Sequence, residues 1–420
     1  MSLARLRARF PGVADELERA PRARVELLAG AQTLRIDGVQ LASRYDPRPE
    51  AELQARLVPA DAPHATVYGP GQGELVRVLL ARPGLCRLRV VVLAPAATRA
   101  VLERLAAEWL DDARVELVSP AGLVELELPF AASPADLRLA DEAGARLRDL
   151  VALELATPLL RRHQRERRPA LLARIAENER RFAGDRDVGE LFGSRAGASL
   201  CVAAAGPTLA RHYDELRLRA GELVAVDAAL KPLLAAGVAP AFVVTQDPHE
   251  EGMRRVFDVP RAALAHARLV YFPEVPPEVL AAWPGERRAA RGQGELHELA
   301  PNPKRRATLF SSGSVLHPAV DLAVRLGARR VELFGADFAL TGGASHVAGS
   351  AWSFEWERHG GAAWVLDGHG RRVPSLPNLV GYLRDFERYV AAHPEVEFVS
   401  RARDGAAIRG VCLEERARVG

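Results

Sequence analysis

Residues 199–208 read Ser-Leu-Cys-Val-Ala-Ala-Ala-Gly-Pro-Thr, an apolar run that ends in a Gly-Pro-Thr turn. Two further apolar runs follow, and each ends in an acid: Asp227 after Leu-Val-Ala-Val, and Asp247 after Phe-Val-Val-Thr-Gln. Helix-like stretches separate the three runs. This alternation is typical of a parallel sheet, in which polar groups gather at the carboxyl ends of adjacent strands. The stretch therefore predicts an α/β nucleotide site, although it does not identify the chemistry.

Length and composition indicate a soluble globular protein with more than one domain. A chain of 420 residues is too long for a single hydrophobic core. Its contents of 48% hydrophobic and 26% charged residues are ordinary for a soluble globular protein. The net charge of +3 predicts no nucleic-acid partner. Three widely spaced cysteines predict no metal site and fit a reduced, cytoplasmic setting. Because no run of about 20 apolar residues occurs, we expect no membrane span.

The predicted elements divide the chain into four regions of an α/β fold with two Rossmann-like, doubly wound units. Residues 1–140 form an N-terminal domain. Its turn at 69–73, Gly-Pro-Gly-Gln-Gly, resembles a dinucleotide loop, but no ribose-binding acid ends the next strand, so we predict a structural role. The remaining regions are a charged helical connector (141–192), a central nucleotide-sugar-binding domain (193–350) and a C-terminal hairpin and helix that complete it (351–420).

Local patterns predict the bounds of several elements. Ile-Asp-Gly-Val at 36–39 predicts a hairpin, because Asp-Gly favours the two-residue turn that joins antiparallel strands. A single helix is expected over 208–219. Strands of the central domain are predicted at 199–204, 222–226, 241–245, 268–272 and 330–334.

The turn formed by Gly206, Pro207 and Thr208 has two interpretations. Glycine at a strand end lets a ligand approach the backbone, and Thr208 could bind phosphate beside free N–H groups at the helix start. Thr208 could instead serve only as a helix cap. The turn lacks the lysine of a Walker motif, so the sequence leaves both interpretations open.

Asp227 and Asp247 end neighbouring predicted strands and should therefore lie near that turn. Acids at this position bind ribose hydroxyls, hold a divalent cation or act as a general base. Either could instead cap the following helix, and His249 adds a second ionisable group beside Asp247. Lys231, which follows Asp227 by four residues, could neutralise phosphate.

Two further loops carry candidate groups. Ser311, Ser312, Gly313 and Ser314 form a small-residue turn before a helix, and its donors suit a phosphate or a carboxylate. A helix cap is the alternative for these serines. Asp337 ends another predicted strand, and the Gly-rich loop after it ends in His346. This acid and histidine suit general acid/base catalysis, or else belong to a surface loop.

The order of these motifs resembles the Maf (motility-associated factor) glycosyltransferase-like family, whose central domain is shared with MptE-like 6-hydroxymethylpterin diphosphokinases. The resemblance is carried by residues 45–51, 69–73, 204–209, 224–240, 243–248, 311–327, 333–338 and 403–410. It implies a central domain similar to that of CMP-sialic-acid sialyltransferases. Thr208 departs from the family pattern, in which serine is commoner at this position.

The resemblance implies a cytoplasmic glycosyltransferase. Its donor would be a CMP-type nucleotide carrying a nonulosonic or related keto-sugar acid, and its acceptor a protein or glycan hydroxyl, which could be a Ser or Thr of flagellin. Gly206, Pro207, Thr208 and the serine turn would hold the donor. Asp227 and Asp247 would order the ribose, the nucleobase or the acceptor, and His249, Asp337 or His346 would supply the general base. No cofactor is required for this reaction.

Two alternatives stay open. An MptE-like pyrophosphokinase would move diphosphate from ATP to a pterin alcohol and would need Mg²⁺. A non-catalytic binding protein would keep the fold for recognition alone.

Overall fold

The computed structural model describes residues 2–27, 33–303, 305–352 and 363–414. The chain forms two compact units, Met1–Thr157 and Pro158–Gly420. Both contain a parallel sheet with helices between its strands, which confirms the predicted α/β class and its two parallel-sheet units.

The first unit contains a three-stranded antiparallel sheet and a four-stranded parallel sheet. The strands are β1 (Val25–Leu27), β2 (Leu34–Ile36), β3 (Val39–Gln40), β4 (His64–Tyr68), β5 (Arg87–Val91), β6 (Val115–Val118) and β7 (Phe130–Ala132). The parallel sheet has the order β6-β5-β4-β7. The predicted hairpin is confirmed as β2–β3, since Asp37 and Gly38 adopt the positive φ angles that a tight hairpin turn requires.

Helices surround the sheets of the first unit. They are α1 (Ser2–Arg9), α2 (Pro11–Arg19), α3 (Pro47–Ala55), α4 (Glu74–Leu80), α5 (Pro95–Arg104) and α6 (Pro134–Leu139), with a 3-10 turn at Glu108–Asp111. The boundary between the units falls within α7 (Ala145–Arg181), which covers most of the predicted connector.

The second unit is built on a nine-stranded sheet with all neighbours parallel. The strands of this unit are β8 (Arg186–Asp187), β9 (Ser199–Ala203), β10 (Leu223–Val226), β11 (Phe242–Thr245), β12 (Arg268–Tyr271), β13 (Arg287–Ala289), β14 (Arg330–Phe334), β15 (Ala363–Leu366), β16 (Arg372–Ser375), β17 (Glu397–Ser400) and β18 (Cys412–Leu413). The sheet order is β18-β17-β14-β9-β10-β11-β12-β13-β8, and β15 and β16 form a separate hairpin.

The helices of the second unit follow the strands. They are α8 (Tyr213–Leu218), α9 (Asp227–Ala235), α10 (Glu250–Val256), α11 (Pro277–Ala282), α12 (Glu295–Leu299), α13 (Leu316–Arg325) and α14 (Pro377–Ala392). Shorter 3-10 turns lie at Val188–Leu191, Pro207–His212, Ala220–Glu222, Arg261–Leu264 and Thr341–Gly343.

The order of the strands places a switch point between β9 and β14. From β9 the chain builds β10, β11 and β12 on one side, and it later adds β14 and β17 on the other. Ligands of open α/β sheets bind in the crevice outside the carboxyl ends of strands at such a point. A binding site is therefore expected at the loops after β9 and β14.

The single helix expected over 208–219 is wrong. A 3-10 turn occupies Pro207–His212, and α8 begins only at Tyr213. The N–H of Leu209 donates to the carbonyl oxygen of Gly206 at 3.0 Å, which is the tighter bonding pattern of a 3-10 turn. The proline and the buried contacts of Thr208 hold the chain close to the sheet here.

Candidate functional site

The Gly-Pro-Thr turn after β9 contacts the loop after β14. The Asp337 carboxylate accepts a hydrogen bond from the Thr208 N–H at 3.1 Å and a second from the Thr208 hydroxyl. Both residues are buried. A Cβ on Gly206 would lie 2.4 Å from the carbonyl oxygen of Gly335 and 2.6 Å from the carboxyl carbon of Asp337. Two predicted candidates are therefore in direct contact at the switch point.

This contact fills the place that the sequence suggested for phosphate. The donors of Thr208 already bind an anionic group that belongs to the protein. Burial raises the pKa of Asp337, and the hydrogen bonds from Thr208 oppose that rise. A phosphate could take these donors only if the carboxylate moved away. In this structure, Asp337 caps the turn and is not placed as a free base.

Asp227 and Asp247 lie close together at the ends of β10 and β11. Asp227 is 2% exposed, and its carboxylate accepts from the Thr245 hydroxyl at 2.7 Å and from the N–H of Ala228 at 2.6 Å. Burial raises its pKa to about 7, the Thr245 bond lowers it, and the negative charge of Asp247 raises it further. Such a carboxyl group exchanges its proton near neutral pH, as a general acid or base does.

Asp247 is the more accessible of the two acids. It is half-buried, and its Oδ1 accepts the N–H of His249 at 2.7 Å. Its charge also reaches Tyr382 on α14: burial raises the pKa of that hydroxyl, a hydrogen bond with Asn378 lowers it, and Asp247 raises it. Asp247 therefore acts electrostatically on both Asp227 and Tyr382.

Tyr382 links Asp247 to the serine turn. Gly313 has a φ of +78°, and a Cβ at this position would lie 2.6 Å from Cε1 of the Tyr382 ring. The ring thus packs directly on the backbone of the turn. Asp247, which was predicted separately from the serine turn, thus acts electrostatically on a tyrosine that packs on that turn.

The serines of the turn all make hydrogen bonds within the protein. Their contacts are Ser311 Oγ with the N–H of Gln293 at 3.4 Å, Ser312 Oγ with the Asp385 carboxylate, and Ser314 Oγ with the N–H of Leu316 at 3.3 Å. Ser314 thus bonds the first residue of α13 from one position before its N-cap, Val315, which has no side-chain cap. Ser311 accepts a hydrogen bond from the loop after β13, and Ser312 donates one to α14.

His249 has a structural contact that accounts for its position. Its Nδ1 accepts the N–H of Gly252 at 3.1 Å and so caps α10. Its ring packs edge-on against Trp352, with centroids 5.8 Å apart. A base at this position would have to give up the cap, so the geometry favours Asp247 over His249.

His346 lies on the loop that crosses the end of β9. The N–H of Val347 donates to the carbonyl oxygen of Ala205 at 2.7 Å, which fixes the loop beside the Gly-Pro-Thr turn. Burial lowers the pKa of His346 to about 4. The imidazole is therefore neutral at neutral pH, and it is a weaker base than an ordinary histidine.

Lys231 lies one helical turn after Asp227 on α9. Its Nζ is 3.7 Å from the carboxylate of Asp258, which is a long ion pair with a largely exposed acid. Exposed pairs of this kind contribute little to stability. The ammonium group can therefore exchange this partner for a more strongly charged one.

Glu274 and His297 form a buried pair that the sequence reading missed. The Nε2 of His297 is 3.4 Å from Oε1 of Glu274, and both residues are buried. Gly292 leaves room for the ring, because its Cβ would lie 2.3 Å from Nε2. Glu274 lies three residues after the end of β12, so the signal that identified Asp227 and Asp247, an acid at the end of a predicted strand, could also have identified Glu274.

The described residues contain no group of three or more His, Cys, Asp or Glu side chains placed to hold a metal ion. Within the same described ranges, every helix is too short or too polar to cross a bilayer.

Comparisons with known proteins give three findings. Residues 173–343 match the family model described as 6-hydroxymethylpterin diphosphokinase MptE-like. The chain is similar to the solved structure of a MAf glycosyltransferase from Magnetospirillum magneticum AMB-1, with a TM-score of 0.45 and 14% identity over 99% of this chain and 74% of the other. No curated protein matches the sequence. The family model confirms the MptE-like central domain that the motifs predicted.

Proposed function

We propose that the second unit transfers a sugar from a nucleotide-activated donor to a hydroxyl acceptor at the carboxyl edge of its sheet. The observation that carries this proposal is the Asp227–Asp247 pair, which combines a buried carboxyl group of pKa about 7 with an accessible carboxylate. Pairs of acids with divergent environments are typical of acid/base catalysis. The Maf resemblance of the motif order supports a glycosyl group as the one transferred.

In the proposed reaction, Asp247 receives the proton of the acceptor hydroxyl. The acceptor oxygen forms a bond to the anomeric carbon, and the bond from that carbon to the phosphate oxygen breaks. The nucleoside monophosphate leaves with the electron pair of that bond. Asp227 favours this protonation, because two neighbouring carboxyl groups that hold one proton avoid the repulsion between two negative charges.

The serine turn and Lys231 are the groups we assign to the donor. The Ser311 oxygen accepts the N–H of Gln293 and so still has a hydroxyl hydrogen to donate, and the Lys231 ammonium has only a long contact to replace. The Gly-Pro-Thr turn borders the adjacent crevice, but the donors of Thr208 already bind Asp337. We therefore assign the binding of the donor's negative groups to the serine turn and not to Thr208.

The donor and acceptor are proposed from the family resemblance. A CMP-linked nonulosonic or related keto-sugar acid is the donor, and a protein or glycan hydroxyl, with flagellin as one candidate, is the acceptor. A cytoplasmic location follows from the same reading. We also propose that the central domain is similar to those of sialyltransferases and that its reaction requires no cofactor.

The family model favours one alternative, the transfer of diphosphate from ATP to a pterin alcohol. That reaction needs Mg²⁺, which proteins commonly bind through one or two carboxylates together with substrate phosphates. Asp227 and Asp247 fit this description, so they would hold the ion in that case. The same residues thus serve either reaction, and the metal requirement distinguishes the two.

Titration calorimetry on the full chain tests the proposal. Binding of CMP or a CMP-sugar without metal, lost in Lys231→Ala, supports glycosyl transfer. Binding of ATP only with Mg²⁺ supports diphosphate transfer and rejects the first proposal. If neither nucleotide binds, both catalytic proposals fail and a non-catalytic role is favoured. Asp258→Asn, which removes only the exposed partner of Lys231, is the matched control.

A further inference from the structure

Two polar side chains of α7 contact the loops that carry the candidate site. Arg174 and Asn178 lie one helical turn apart and therefore share a face of the helix. Asn178 is 1% exposed, and its Nδ2 donates hydrogen bonds to the carbonyl oxygens of Pro273 and Val275, each at 2.8 Å. This amide thus fixes the loop after β12 on both sides of Glu274.

Arg174 binds the turn that carries Asp247. Its Nη1 donates to the carbonyl oxygen of Pro248 at 2.6 Å and approaches the carbonyl oxygen of Glu274 at 3.4 Å. Its Nη2 donates to the Glu250 carboxylate at 2.6 Å, at the start of α10. One planar guanidinium therefore joins the turn after β11, the first residue of α10 and the loop after β12.

The Asp247 carboxylate is fixed from within the same turn. Its Oδ1 accepts the N–H of His249 at 2.7 Å, so the carboxylate spans the intervening Pro248. Since β11 ends at Thr245 and proline has no N–H, the backbone at Pro248 lies beyond the hydrogen bonds of the sheet. The Arg174 guanidinium holds the Pro248 carbonyl there. A shift of this carbonyl group would therefore shift the Asp247 carboxylate as well.

We propose that Arg174 is a positioning residue, which holds the turn after β11 against the loop after β12 and so keeps the Asp247 carboxylate beside Asp227. Arg174 acts through the turn and not on the reacting atoms. Its effect on turnover rests on the transfer proposed above, whereas the position of Asp247 can be measured without a substrate.

Carbon-detected NMR titration of the full chain tests the position of Asp247. Burial raises the pKa of Asp227 to about 7, and the negative charge of Asp247 contributes to this rise. In Arg174→Ala the turn is released and Asp247 moves away, so the pKa of Asp227 should fall. Loss of the positive charge alone would raise the pKa of a neighbouring carboxyl group, so the sign of the change separates the two causes.

Arg168→Ala is the matched control. Arg168 lies on the same helix and pairs with Glu295 at 2.6 Å. Its side chain is 24% exposed and that of Arg174 is 22% exposed, so the two substitutions remove similar ion pairs. Arg168→Ala should leave the pKa of Asp227 unchanged. In the Asp247→Asn background, Arg174→Ala should no longer lower this pKa, because the charge that it displaces is already absent.

If the proposed transfer occurs, Arg174→Ala should also lower kcat about 10- to 100-fold with a smaller change in KM, as the misplacement of a catalytic group predicts. A pKa of Asp227 that rises or stays unchanged in this variant would overturn the proposal, and so would an equal fall in Arg168→Ala.

If Arg174→Ala does not fold, Arg174→Met decides, because methionine retains an unbranched apolar stem but has no donors. An unchanged pKa of Asp227 in that variant rejects the positioning role. A lowered pKa of Asp227 in a chain that transfers no sugar would reject the proposed function alone.

Discussion

Asp337 accepts hydrogen bonds from both the N–H and the hydroxyl of Thr208, although 129 positions separate the two residues. The first unit repeats this arrangement, since Asp136 accepts the N–H of Gly71 at 2.9 Å. In each unit the acid follows the strand on the other side of the switch point. Both nucleotide-like turns are thus closed by a carboxylate of the protein, so we expect ligand donors on neighbouring loops.

Thr208→Val should destabilise the second unit. The substitution keeps the size of the side chain but removes the hydroxyl that donates to Asp337, and it leaves a buried acceptor with one bond fewer. The expected cost is about 1–3 kcal/mol in the free energy of unfolding. Urea denaturation measures it, with Thr208→Ser as the control that retains the hydroxyl. Equal stability of the valine variant and the natural protein would show that the contact contributes nothing.

Asp136 should make the stability of the first unit depend on pH. Burial raises its pKa from 3.8 to about 6, so the folded state binds the proton more tightly than the unfolded state. Stability should therefore fall as pH rises from about 4 to about 6 and stay constant above, by up to about 3 kcal/mol. Denaturation of the natural protein and Asp136→Asn at a series of pH values measures this loss.

The difference between these two proteins isolates the Asp136 contribution. Asparagine can still accept the Gly71 N–H, but it cannot ionise. The variant should therefore gain stability relative to the natural protein between pH 4 and pH 6. Asp61→Asn, at an exposed position of the same unit, should leave the pH profile unchanged. A parallel profile for Asp136→Asn would contradict the assignment.

Asp247→Asn should lower turnover about 100-fold or more, the usual contribution of a general base. Folding should be retained, because the asparagine oxygen can still accept the His249 N–H. The change also removes the negative charge that raises the pKa of Asp227, so that pKa should fall. Carbon-detected NMR titration of the aspartate carboxyl groups measures this shift independently of activity. An unchanged Asp227 pKa would show that the two acids do not interact.

His249→Ala should cost stability without a matching loss of turnover. The imidazole Nδ1 caps α10 by accepting the Gly252 N–H, and the loss of such a cap costs about 1 kcal/mol. His249→Asn, which supplies another N-cap acceptor, should recover most of the stability. Thermal denaturation and turnover assays of both variants provide the comparison. A large fall in turnover for both would assign His249 a catalytic role instead.

The strands that could be predicted from sequence are those with local signals. Residues Leu200–Ala203 of β9 are all buried, so the strand appears as an unbroken apolar run before the turn. The edge strand at Arg186–Asp187 and its neighbour at Arg287–Ala289 were not predicted, because they are short and rich in arginine. Their pairing is determined by the neighbouring strand and not by an apolar pattern of their own.

The candidate site could be predicted only in part for the same physical reason. Strand-end acids such as Asp227 and Asp247 follow a local rule, and the structure places them together. The contact of Asp337 with Thr208 joins loops distant in sequence, so no local pattern contains it. Tyr382 had no distinguishing signal, since its role depends on the packing of α14 against the serine turn.

Gly313→Ala should disrupt the packing of Tyr382 on the serine turn. The glycine has a φ of +78°, and its new Cβ would lie 2.6 Å from the Tyr382 ring. Gly370→Ala is the matched control, since Gly370 has a φ of +76° and open space around it. Backbone strain of roughly 1–2 kcal/mol should affect both variants, and the collision should affect only the first.

The double variant Gly313→Ala, Tyr382→Ala separates the collision from the strain. Removing the ring leaves room for the new Cβ, so the alanine at position 313 should cost less stability in the Tyr382→Ala background than alone. Urea denaturation of the four proteins in this cycle measures the difference. Calorimetric titration with CMP should show that Gly313→Ala weakens donor binding and Gly370→Ala does not. Equal affinity in both variants would place the donor away from the serine turn.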